Sequence, residues 1–544
     1  MAAALSGGKI LVVDDLPDWR DMIGGLLKDA GYDVHVAADA DEAMRLLRQQ
    51  PYHVAIVDLR LDERDENNKE GLVLAERMKE FLPELAILFL TGHADIPAVK
   101  YALKPRADRS SIAFDFLEKH EIPHLLQRIE IAFAQAARVN PQLHIEFDPP
   151  LNWLTLQHNI DCLQSLSPEL ARLELTDLLQ RLFHTAESIT VKPMNNGHSS
   201  AAVVLVTPTM YGLAQTDVVV KFNHRRKAEG ESANYDRYVE NYVGGARRTQ
   251  RLSSRATAIL GGIAYSFVGA EATEFLRLSH AYATQPVERI KTILDNLFKE
   301  TCHKWYTNTL KPNPLPQSLS AGYKEWLRLD NSKLGAALAE IVERHPTAHL
   351  SFTEPRRPTQ SELLFADRAI KLASPLALMQ SALAYTGPYC FTHGDLHEGN
   401  ILVDTHLQTW LIDFYHTRPA HPVRDFAMLE SAIKFSLQRS DCPAAVLYDW
   451  ERSLLAVESL TDRPGSKPPL QLDVEMAKAT ELIWHIRALL SRILPGATVR
   501  DYQISLYFHA LKGMTLSGKF SERQRLHAVM AAALLAEILQ KKMS

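Results

Sequence analysis

The stretch KILVVDD, residues 9–15, decides the fold of the N-terminal part of this 544-residue chain. An apolar run of this length that ends in two acids is typical of a buried strand in a parallel sheet. Four similar runs follow, namely DVHVA, HVAIVDL, LAILFLTG and IAFDFLEKH, with helical stretches between them. Five strands that alternate with five helices predict an α/β, doubly wound (βα)5 domain.

Chemically active residues stand at the carboxyl ends of these predicted strands, where a parallel sheet gathers them at one edge. They are Asp14, Asp15, Asp58, Thr91 and Lys119. Converging carboxylates repel each other unless a divalent cation holds them, and an oxygen-rich site suits Mg²⁺. A metal beside Asp58 would allow it to attack a phosphoryl donor, with Thr91 and Lys119 binding the new phosphoryl oxygens. Each acid alone is more often a helix cap, but the five together favour a site.

This pattern resembles the response-regulator receiver family. The resemblance implies that Asp14, Asp15 and Asp58 bind Mg²⁺ and that Asp58 accepts a phosphoryl group from a sensor histidine kinase. It also implies that Phe116 is the family's aromatic switch residue. One departure is His120, which stands where the family usually has proline, so we expect a differently shaped loop there.

A second group of functional residues lies in FTHGDLHEGNILVD, residues 391–404, and in LIDF, residues 411–414. Phosphoryl transfer from ATP needs a carboxylate for the acceptor hydroxyl and ligands for Mg²⁺. Asp395, on a tight turn, would supply the carboxylate, and Asn400 and Asp413 would hold the metal. The order Asp, Asn, short hairpin, Asp is a stronger signal than any single residue in it.

A strand upstream of this motif supplies a candidate phosphate-binding cation. VVVKF places Lys221 at the end of an apolar strand, and Glu231 on the helical stretch that follows could pair with it. Gly197, in the turn NNGHSS, fits a phosphate-covering turn and a plain hairpin connection equally well.

Together these residues resemble the aminoglycoside phosphotransferase-like branch of the protein-kinase superfamily, whose pattern HGDxHxxN…IDF…DFA matches residues 393–427. Within that branch the chain looks like bacterial ternary-complex-associated phosphotransferase domains. The resemblance implies an ATP- and Mg²⁺-dependent kinase with Asp395 as catalytic base. It also implies that Lys221 binds the phosphates and that Phe267 and Val268 lie at the adenine hinge.

The two resemblances divide the chain into four segments. Residues 1–138 form the receiver, 139–184 a helical connector, 185–270 a β-rich N-lobe and 271–544 a helical C-lobe. The predicted fold class is therefore an α/β receiver followed by an α+β, bilobal, protein-kinase-like domain.

Several features keep a second interpretation. His393 and His397 could ligate zinc, although the glycine between them disfavours a helix that would present both rings to one ion. Asp425 could hold the catalytic loop or cap a helix. The basic clusters HRRK, residues 224–227, and RRTQRLSSR, residues 247–255, are either solvated faces or a docking surface for an acidic partner, including the receiver of the same chain.

Composition limits the compartment and the partners. The net charge of −5 gives no support to general nucleic-acid binding, and residues 1–140 hold 17 Lys and Arg against 24 Asp and Glu. The four cysteines show no CxxC spacing, which fits a reducing cytosol. No apolar run approaches the ~20 residues that a membrane span needs. We therefore expect a cytoplasmic protein.

The leading hypothesis is a signalling enzyme in which phosphorylation of Asp58 controls a kinase-like domain that acts on a protein or metabolite hydroxyl. The alternative is a non-catalytic nucleotide-binding scaffold whose receiver controls homodimerisation and assembly with partners. An Asp395→Ala variant separates the two, because a scaffold would keep nucleotide binding and assembly.

Overall fold

A computed structural model of the chain divides into two compact units. The first comprises Met1–Ala233 and Gln250–Phe267, and the second comprises Asn234–Thr249 and Val268–Ser544. The residues that the structure describes are 7–62, 68–92, 96–105, 111–193, 203–243, 248–268, 275–308, 310, 317–344, 349–352, 360–365, 368–463 and 472–542.

The first unit begins with a five-stranded parallel sheet in the order β2-β1-β3-β4-β5. Separate apolar cores cover its two faces. This confirms the predicted doubly wound fold. Its elements are β1 Lys9–Val13, α1 Pro17–Asp29, β2 Asp33–Ala37, α2 Ala40–Gln49, β3 Val54–Val57, α3 Glu70–Phe81, β4 Ala86–Thr91, α4 Ile96–Leu103, β5 Asp115–Glu118 and α5 Leu125–Ile131.

The central strands explain why the sequence signal was clear. Every residue of β3 and β4 is buried, because helices cover both faces of a parallel sheet. Such strands are continuous apolar runs, and the polar residues begin where the strand ends.

A second, mainly antiparallel sheet completes the first unit, in the order β11-β12-β10-β8-β7-β6, with β9 paired to β8. The 139–184 segment supplies two helices to it and also strand β6, which pairs in parallel with β7. Its elements are β6 His144–Phe147, α6 Trp153–Asn159, α7 Pro168–Leu182, β7 Ser188–Pro193, β8 Val203–Met210, β9 Leu213–Ala214, β10 Val218–His224, α8 Arg225–Asn234, β11 Arg248–Ala256 and β12 Leu260–Val268.

Helix α7 packs on this second sheet. Ser167 caps it by accepting a hydrogen bond from the Leu170 N–H, and Pro168 occupies the first turn. Its apolar residues, with Leu178 and Leu182 among them, share a core with the strands. Gly262 of β12 makes room for them, because a Cβ there would lie 2.8 Å from Leu182 Cδ1.

The second unit is mostly helical with short strands. Its elements are β13 Leu276–Arg277, α9 Leu278–Thr284, α10 Val287–Asp295, α11 His303–Thr307, β14 Gln317–Ser318, α12 Leu319–Leu327, α13 Asn331–Arg344, β15 His349–Phe352, β16 Gln360–Phe365, β17 Arg368–Ala373, β18 Ala384–Tyr385, β19 Cys390–Thr392, β20 Ile401–Val403, β21 Thr409–Leu411, β22 Arg418–Ala420, α14 Arg424–Ala432, α15 Ala444–Leu455, α16 Val474–Ile493, α17 Val499–Met514 and α18 Glu522–Lys541.

Two expectations for this unit meet different outcomes. Strands β20 and β21 form the predicted hairpin. The expectation of a helical C-lobe over 271–544 is wrong at 349–352, 360–365 and 368–373, where β15, β16 and β17 form an antiparallel sheet. A short apolar run is compatible with both the helical period of 3.6 residues and the strand period of 2. Whether it becomes a strand therefore depends on pairing with a neighbouring strand. Among the described helices, none has the length and apolar character that a membrane crossing requires.

Candidate functional site

The predicted acidic pocket consists of Asp14, Asp15 and Asp58, and the structure brings the three residues together. Asp14 directly follows β1 and Asp58 directly follows β3. One carboxylate oxygen from each of the three lies within 4.8 Å of the others. Asp14 and Asp58 are buried. Three hard oxygen donors at this spacing fit Mg²⁺, which would neutralise their mutual repulsion when bound.

Lys119 spans two of these acids. Its Nζ lies 2.8 Å from Asp14 Oδ2 and 2.7 Å from Asp58 Oδ2. Burial disfavours the ammonium, but the hydrogen bonds to both carboxylates outweigh burial and raise the pKa of Lys119. Burial also raises the pKa of Asp14, against the opposing hydrogen bond from Lys119. The lysine is therefore a fixed positive charge in direct contact with the candidate phosphoacceptor.

The two remaining receiver residues lie on neighbouring strands. Thr91 ends β4 and is buried, and it stands opposite Glu118 of β5. Phe116 of β5 is half-buried and packs against the apolar core of the receiver. After Lys119 the chain forms a short 3₁₀ helix, Lys119–His124, closed by reciprocal bonds between Glu118 and Glu121. His120 therefore lies in a short helical turn that begins at Lys119.

Sequence reasoning missed Gly71, the second residue of α3. A Cβ at this position would lie 1.9 Å from the carbonyl oxygen of Asp58, so only glycine allows the helix to begin there. The Gly71 N–H donates to the Leu59 carbonyl over 3.2 Å. The only available signal was a glycine at the start of an apolar helix, which has many causes.

Lys221 and Glu231 make the predicted ion pair within the first unit. Lys221 Nζ lies 2.6 Å from Glu231 Oε2, and the Tyr265 hydroxyl donates to Glu231 Oε1 over 2.9 Å. The exposed fractions are 7% for Lys221 and 0% for Glu231. Lys221 stands in β10 between Val203 of β8 and Ile263 of β12. The strand thus holds the lysine at a fixed register.

Three further residues were predicted to bind nucleotide, namely Gly197, Phe267 and Val268. Gly197 lies outside the described residues. Phe267 and Val268 end strand β12, where the structure describes the backbone.

In the second unit, Asp425 holds the loop that carries Asp395. Its Oδ2 accepts from the His393 N–H over 2.7 Å, and its Oδ1 accepts from the Gly394 N–H over 2.9 Å. The Tyr306 hydroxyl donates to Oδ2 over 3.0 Å. Asp425 is fully buried. These bonds confirm the loop-holding role over a simple helix cap.

Asn400 completes the same loop. Its Nδ2 donates to the Asp395 carbonyl over 2.9 Å and lies 3.4 Å from Asp395 Oδ2. The Ile412 N–H donates to the Asn400 carbonyl over 3.2 Å, which places the residue before Asp413 beside Asn400. Asp413 has a left-handed backbone with φ of 73°, an uncommon conformation for a residue other than glycine.

His393 serves the loop architecture. It is fully buried, and burial lowers its pKa, so the ring is neutral. Its Nδ1 accepts from the Asp395 N–H over 3.3 Å, which leaves Nε2 to donate to the Ile412 carbonyl over 3.1 Å. Within the described ranges, the acidic pocket is the one group of three candidate metal ligands. The zinc interpretation of His393 and His397 therefore has no support.

The basic clusters contact the receiver. Arg225 donates to the carbonyls of Phe81 and Glu80 at the end of α3, over 2.5 and 3.3 Å. Arg255 Nε lies 3.9 Å from Glu84 Oε2, and Arg181 Nη1 lies 3.7 Å from the same oxygen. The docking interpretation thus holds for Arg225 and Arg255, and the partner is the receiver of the same chain.

Comparison with known families now bears on both halves of the chain. A family model described as ternary complex associated domain 9 matches residues 186–369 and 338–515, which together exceed half of the sequence. The chain belongs to this ternary complex associated domain 9 family. The response regulator receiver domain model matches residues 10–130. This member of the family therefore carries a receiver domain, and with it a part in phosphorylation-dependent signalling.

Similar proteins match this family member over its receiver. It is 31% identical over 110 residues to a putative NtrX-like response regulator of Rickettsia bellii, across 20% of this chain and 21% of that protein. It is 35% identical over 130 residues to the transcriptional regulatory protein FixJ of Bradyrhizobium diazoefficiens, across 24% of this chain and 58% of that protein. The chain thus spans about a fifth of the NtrX-like relative's length.

A solved structure of the receiver domain of NtrX from Brucella abortus is 31% identical to this chain. The match covers 23% of this chain and 98% of that chain, with a TM-score of 0.20.

Proposed function

We propose that this protein is a phosphorylation-regulated signalling enzyme. Its receiver accepts a phosphoryl group on Asp58 from a sensor histidine kinase, and thereby controls an ATP- and Mg²⁺-dependent kinase-like domain. The acceptor is a hydroxyl group of a protein or a metabolite. The observation that carries the kinase-like half is the buried Lys221–Glu231 pair.

A buried ion pair is weak support for stability alone. The cost of desolvating two charges usually equals or exceeds their attraction, so an apolar pair would stabilise the fold as well. A strand lysine paired with a helix glutamate is also the arrangement that protein kinases use to position ATP phosphates. Function explains why Lys221 and Glu231 are charged, and Tyr265 supports the same geometry through Glu231.

The loop of the second unit would supply the groups for transfer. Asp395 would orient the acceptor hydroxyl and take its proton. Asn400 would ligate Mg²⁺ through Oδ1, since its Nδ2 donates to Asp395, and Asp413 would be the second ligand. Bound Mg²⁺ would neutralise charge on the ATP phosphates. Asp425 keeps the Asp395 loop in place through the His393 and Gly394 N–H groups.

In the receiver, Asp58 would be the nucleophile. A carboxylate oxygen would attack the phosphorus of the donor's phosphohistidine, forming an acyl phosphate as the phosphorus–nitrogen bond breaks. Lys119 would then pair with the new phosphoryl oxygens, since its Nζ already lies 2.7 Å from Asp58 Oδ2.

The decisive experiment is transfer of the labelled γ-phosphoryl group of ATP to candidate acceptors by the full chain. Loss of a positioned acid–base group costs roughly 10²–10⁴-fold in rate, so Asp395→Ala should lose transfer by that factor and keep nucleotide binding. The matched control is Asp441→Asn, at an exposed acid of the same unit, which should transfer as the wild type does. Nucleotide binding without any wild-type transfer would favour the scaffold alternative.

A further inference from the structure

We propose that Arg225 is a positioning residue that links the receiver helix α3 to the Lys221–Glu231 pair. Through this link, the phosphorylation state of Asp58 would set the geometry of the pair. The meaning of the pair as an ATP-binding element rests on the proposed function. The link itself consists of contacts within the first unit.

The link begins where α3 meets Asp58. Because a Cβ on Gly71 would lie 1.9 Å from the Asp58 carbonyl oxygen, the helix backbone touches the backbone of the phosphoacceptor directly. The Arg60 N–H also donates to Asp58 Oδ1 over 3.2 Å, so the side chain and the start of the following loop move together. A change at Asp58 therefore reaches the first turn of α3 without passing through a flexible side chain.

The link continues at the other end of α3. The helix has 12 residues, which corresponds to a rigid rod of about 18 Å at 1.5 Å per residue. The two amino groups of the Arg225 guanidinium donate to the carbonyls of Phe81 and Glu80. Cations favour the carboxyl end of a helix, where unpaired carbonyls and the helix dipole present negative charge. Arg225 thus holds the free end of the rod with two bonds.

The last step leads from Arg225 to Glu231. Arg225 is the first residue of α8, and Glu231 lies on the same helix. Gly261 of β12 receives α8 at close range, because a Cβ there would lie 2.4 Å from Ala228 Cβ and 3.2 Å from Arg225 Cα. Because closely packed interiors are hardly compressible, a displacement of one end of α8 shifts the whole helix. A displacement of α3 therefore changes the distance between Glu231 and Lys221.

In this proposal α3 is the element that responds to phosphorylation, because hydrogen bonds hold the opposite edge of the receiver sheet. His53 Nε2 bonds Asp177 Oδ1 over 3.0 Å, and Asp177 Oδ2 accepts from Arg181 Nε over 3.0 Å. All three side chains are buried. His53 directly precedes β3, whereas Asp58 directly follows it, so helix α7 grips the edge of the receiver sheet opposite the phosphoacceptor. A displacement that starts at Asp58 is therefore opposed by the hydrogen bonds at the His53 edge of the sheet and is passed on to α3.

The test uses the full chain with beryllium fluoride and Mg²⁺ as a non-transferable phosphoryl mimic on Asp58. Hydrogen–deuterium exchange of residues 225–234 reads the response of α8, and Mg²⁺-ATP titration reads the response of the nucleotide site. In the wild type, the mimic should alter α8 exchange and shift ATP affinity about fivefold or more, the lower end of ordinary allosteric coupling. Arg225→Ala should abolish both responses.

The matched control is Arg226→Ala, which removes the same charge from the next, exposed residue and should respond as the wild type does. If circular dichroism shows Arg225→Ala to be misfolded, Arg225→Lys keeps the charge but loses the two-armed contact, and should respond less than the wild type. A folded Arg225 variant that responds to beryllium fluoride as the wild type does would overturn the link. Unchanged hydrogen exchange of α8 in the wild type on adding beryllium fluoride would overturn it as well. Absence of ATP binding would refute the proposed function alone, because α8 exchange still decides the link.

Discussion

At the scale of single residues, Lys119 holds the acidic pocket together, because its ammonium forms ion pairs with both Asp14 and Asp58. An acyl phosphate on Asp58 would carry more negative charge than the carboxylate and would attract the ammonium more strongly. Asp14 would then lose part of its neutralising partner. We therefore expect phosphorylation and metal affinity to be coupled, with Lys119 moving between the two acids.

Asp58→Asn should abolish phosphoryl acceptance, because the amide cannot act as the carboxylate nucleophile. Incubation with acetyl phosphate and Mg²⁺, followed by phosphate-affinity electrophoresis, measures the product directly. Asp62→Asn, an exposed acid four residues further along, should accept the phosphoryl group as the wild type does. A phosphorylated Asp58→Asn protein would assign the acceptor to another residue.

The sequence predicted individual site residues where strand ends place them. Asp14, Asp58 and Lys119 directly follow strands of the receiver sheet, and a parallel sheet brings the ends of its strands together at one edge. The Gly71 contact with Asp58 could not be predicted, because it depends on how closely one helix start approaches a backbone. Likewise, Asp177 and His53 are 124 residues apart, and no periodicity names a partner at that distance.

The loop between β19 and β20 shows, at the scale of elements, how a short segment is held by its neighbours. Gly394 has a φ of +80°, and a Cβ there would lie 2.0 Å from Arg424 Nη2 and 2.3 Å from the His416 carbonyl oxygen. Asp425 then fixes the two adjacent N–H groups. The loop has one backbone path, which keeps Asp395 and Asn400 in contact.

Gly394→Ala should destabilise the second unit by at least about 1–2 kcal/mol from its left-handed backbone alone, before the close contacts are added. Gly335→Ala is the matched control, because it lies within α13 and a Cβ there meets no atom within 4 Å. The control should stabilise the protein by about 0.8–1 kcal/mol through helix propensity. Urea unfolding compares the two, and equal midpoints would contradict the assigned constraint.

Helices and strands were predicted best where the apolar pattern is compatible with only one type of secondary structure. Strands β1, β3 and β4 of the receiver are almost entirely buried runs flanked by helices, so burial fixed their type. Strands β15, β16 and β17 were missed because their stability comes from pairing with each other, which local sequence does not encode. Strand β6 is a similar case, since it exists by joining β7.

At the scale of the whole molecule, buried histidines in both units make the stability of the fold depend on pH. Burial lowers the pKa of His53 in the first unit. In the second unit, burial and the nearby Arg424 lower the pKa values of His421 and His509 to about 3. Each histidine is therefore neutral in the folded chain and gains a proton more easily when unfolded.

Stability should accordingly fall as the pH decreases from 7.5 to 5.5. Because the pKa of His421 is lower in the folded chain, His421 contributes to the free energy of unfolding. This contribution is complete above the unfolded pKa of 6.5 and is lost as the pH falls toward about 3. His421→Gln should remove about 1.4 kcal/mol of this pH dependence over that interval. Urea unfolding at the two pH values measures it, with exposed His303→Gln as the control. An unchanged slope in His421→Gln would refute the assignment.

Helix α7 has a consequence for how such a protein evolves. It packs its apolar residues on the second sheet and presents Asp177 and Arg181 to His53 and Glu84 of the receiver. A foreign receiver without those partners would leave buried polar atoms of Asp177 and Arg181 without hydrogen-bond partners, at a cost of about 1–3 kcal/mol for each unsatisfied group. Genetic exchange of the receiver alone is therefore disfavoured, and we expect both parts to descend as one heritable unit.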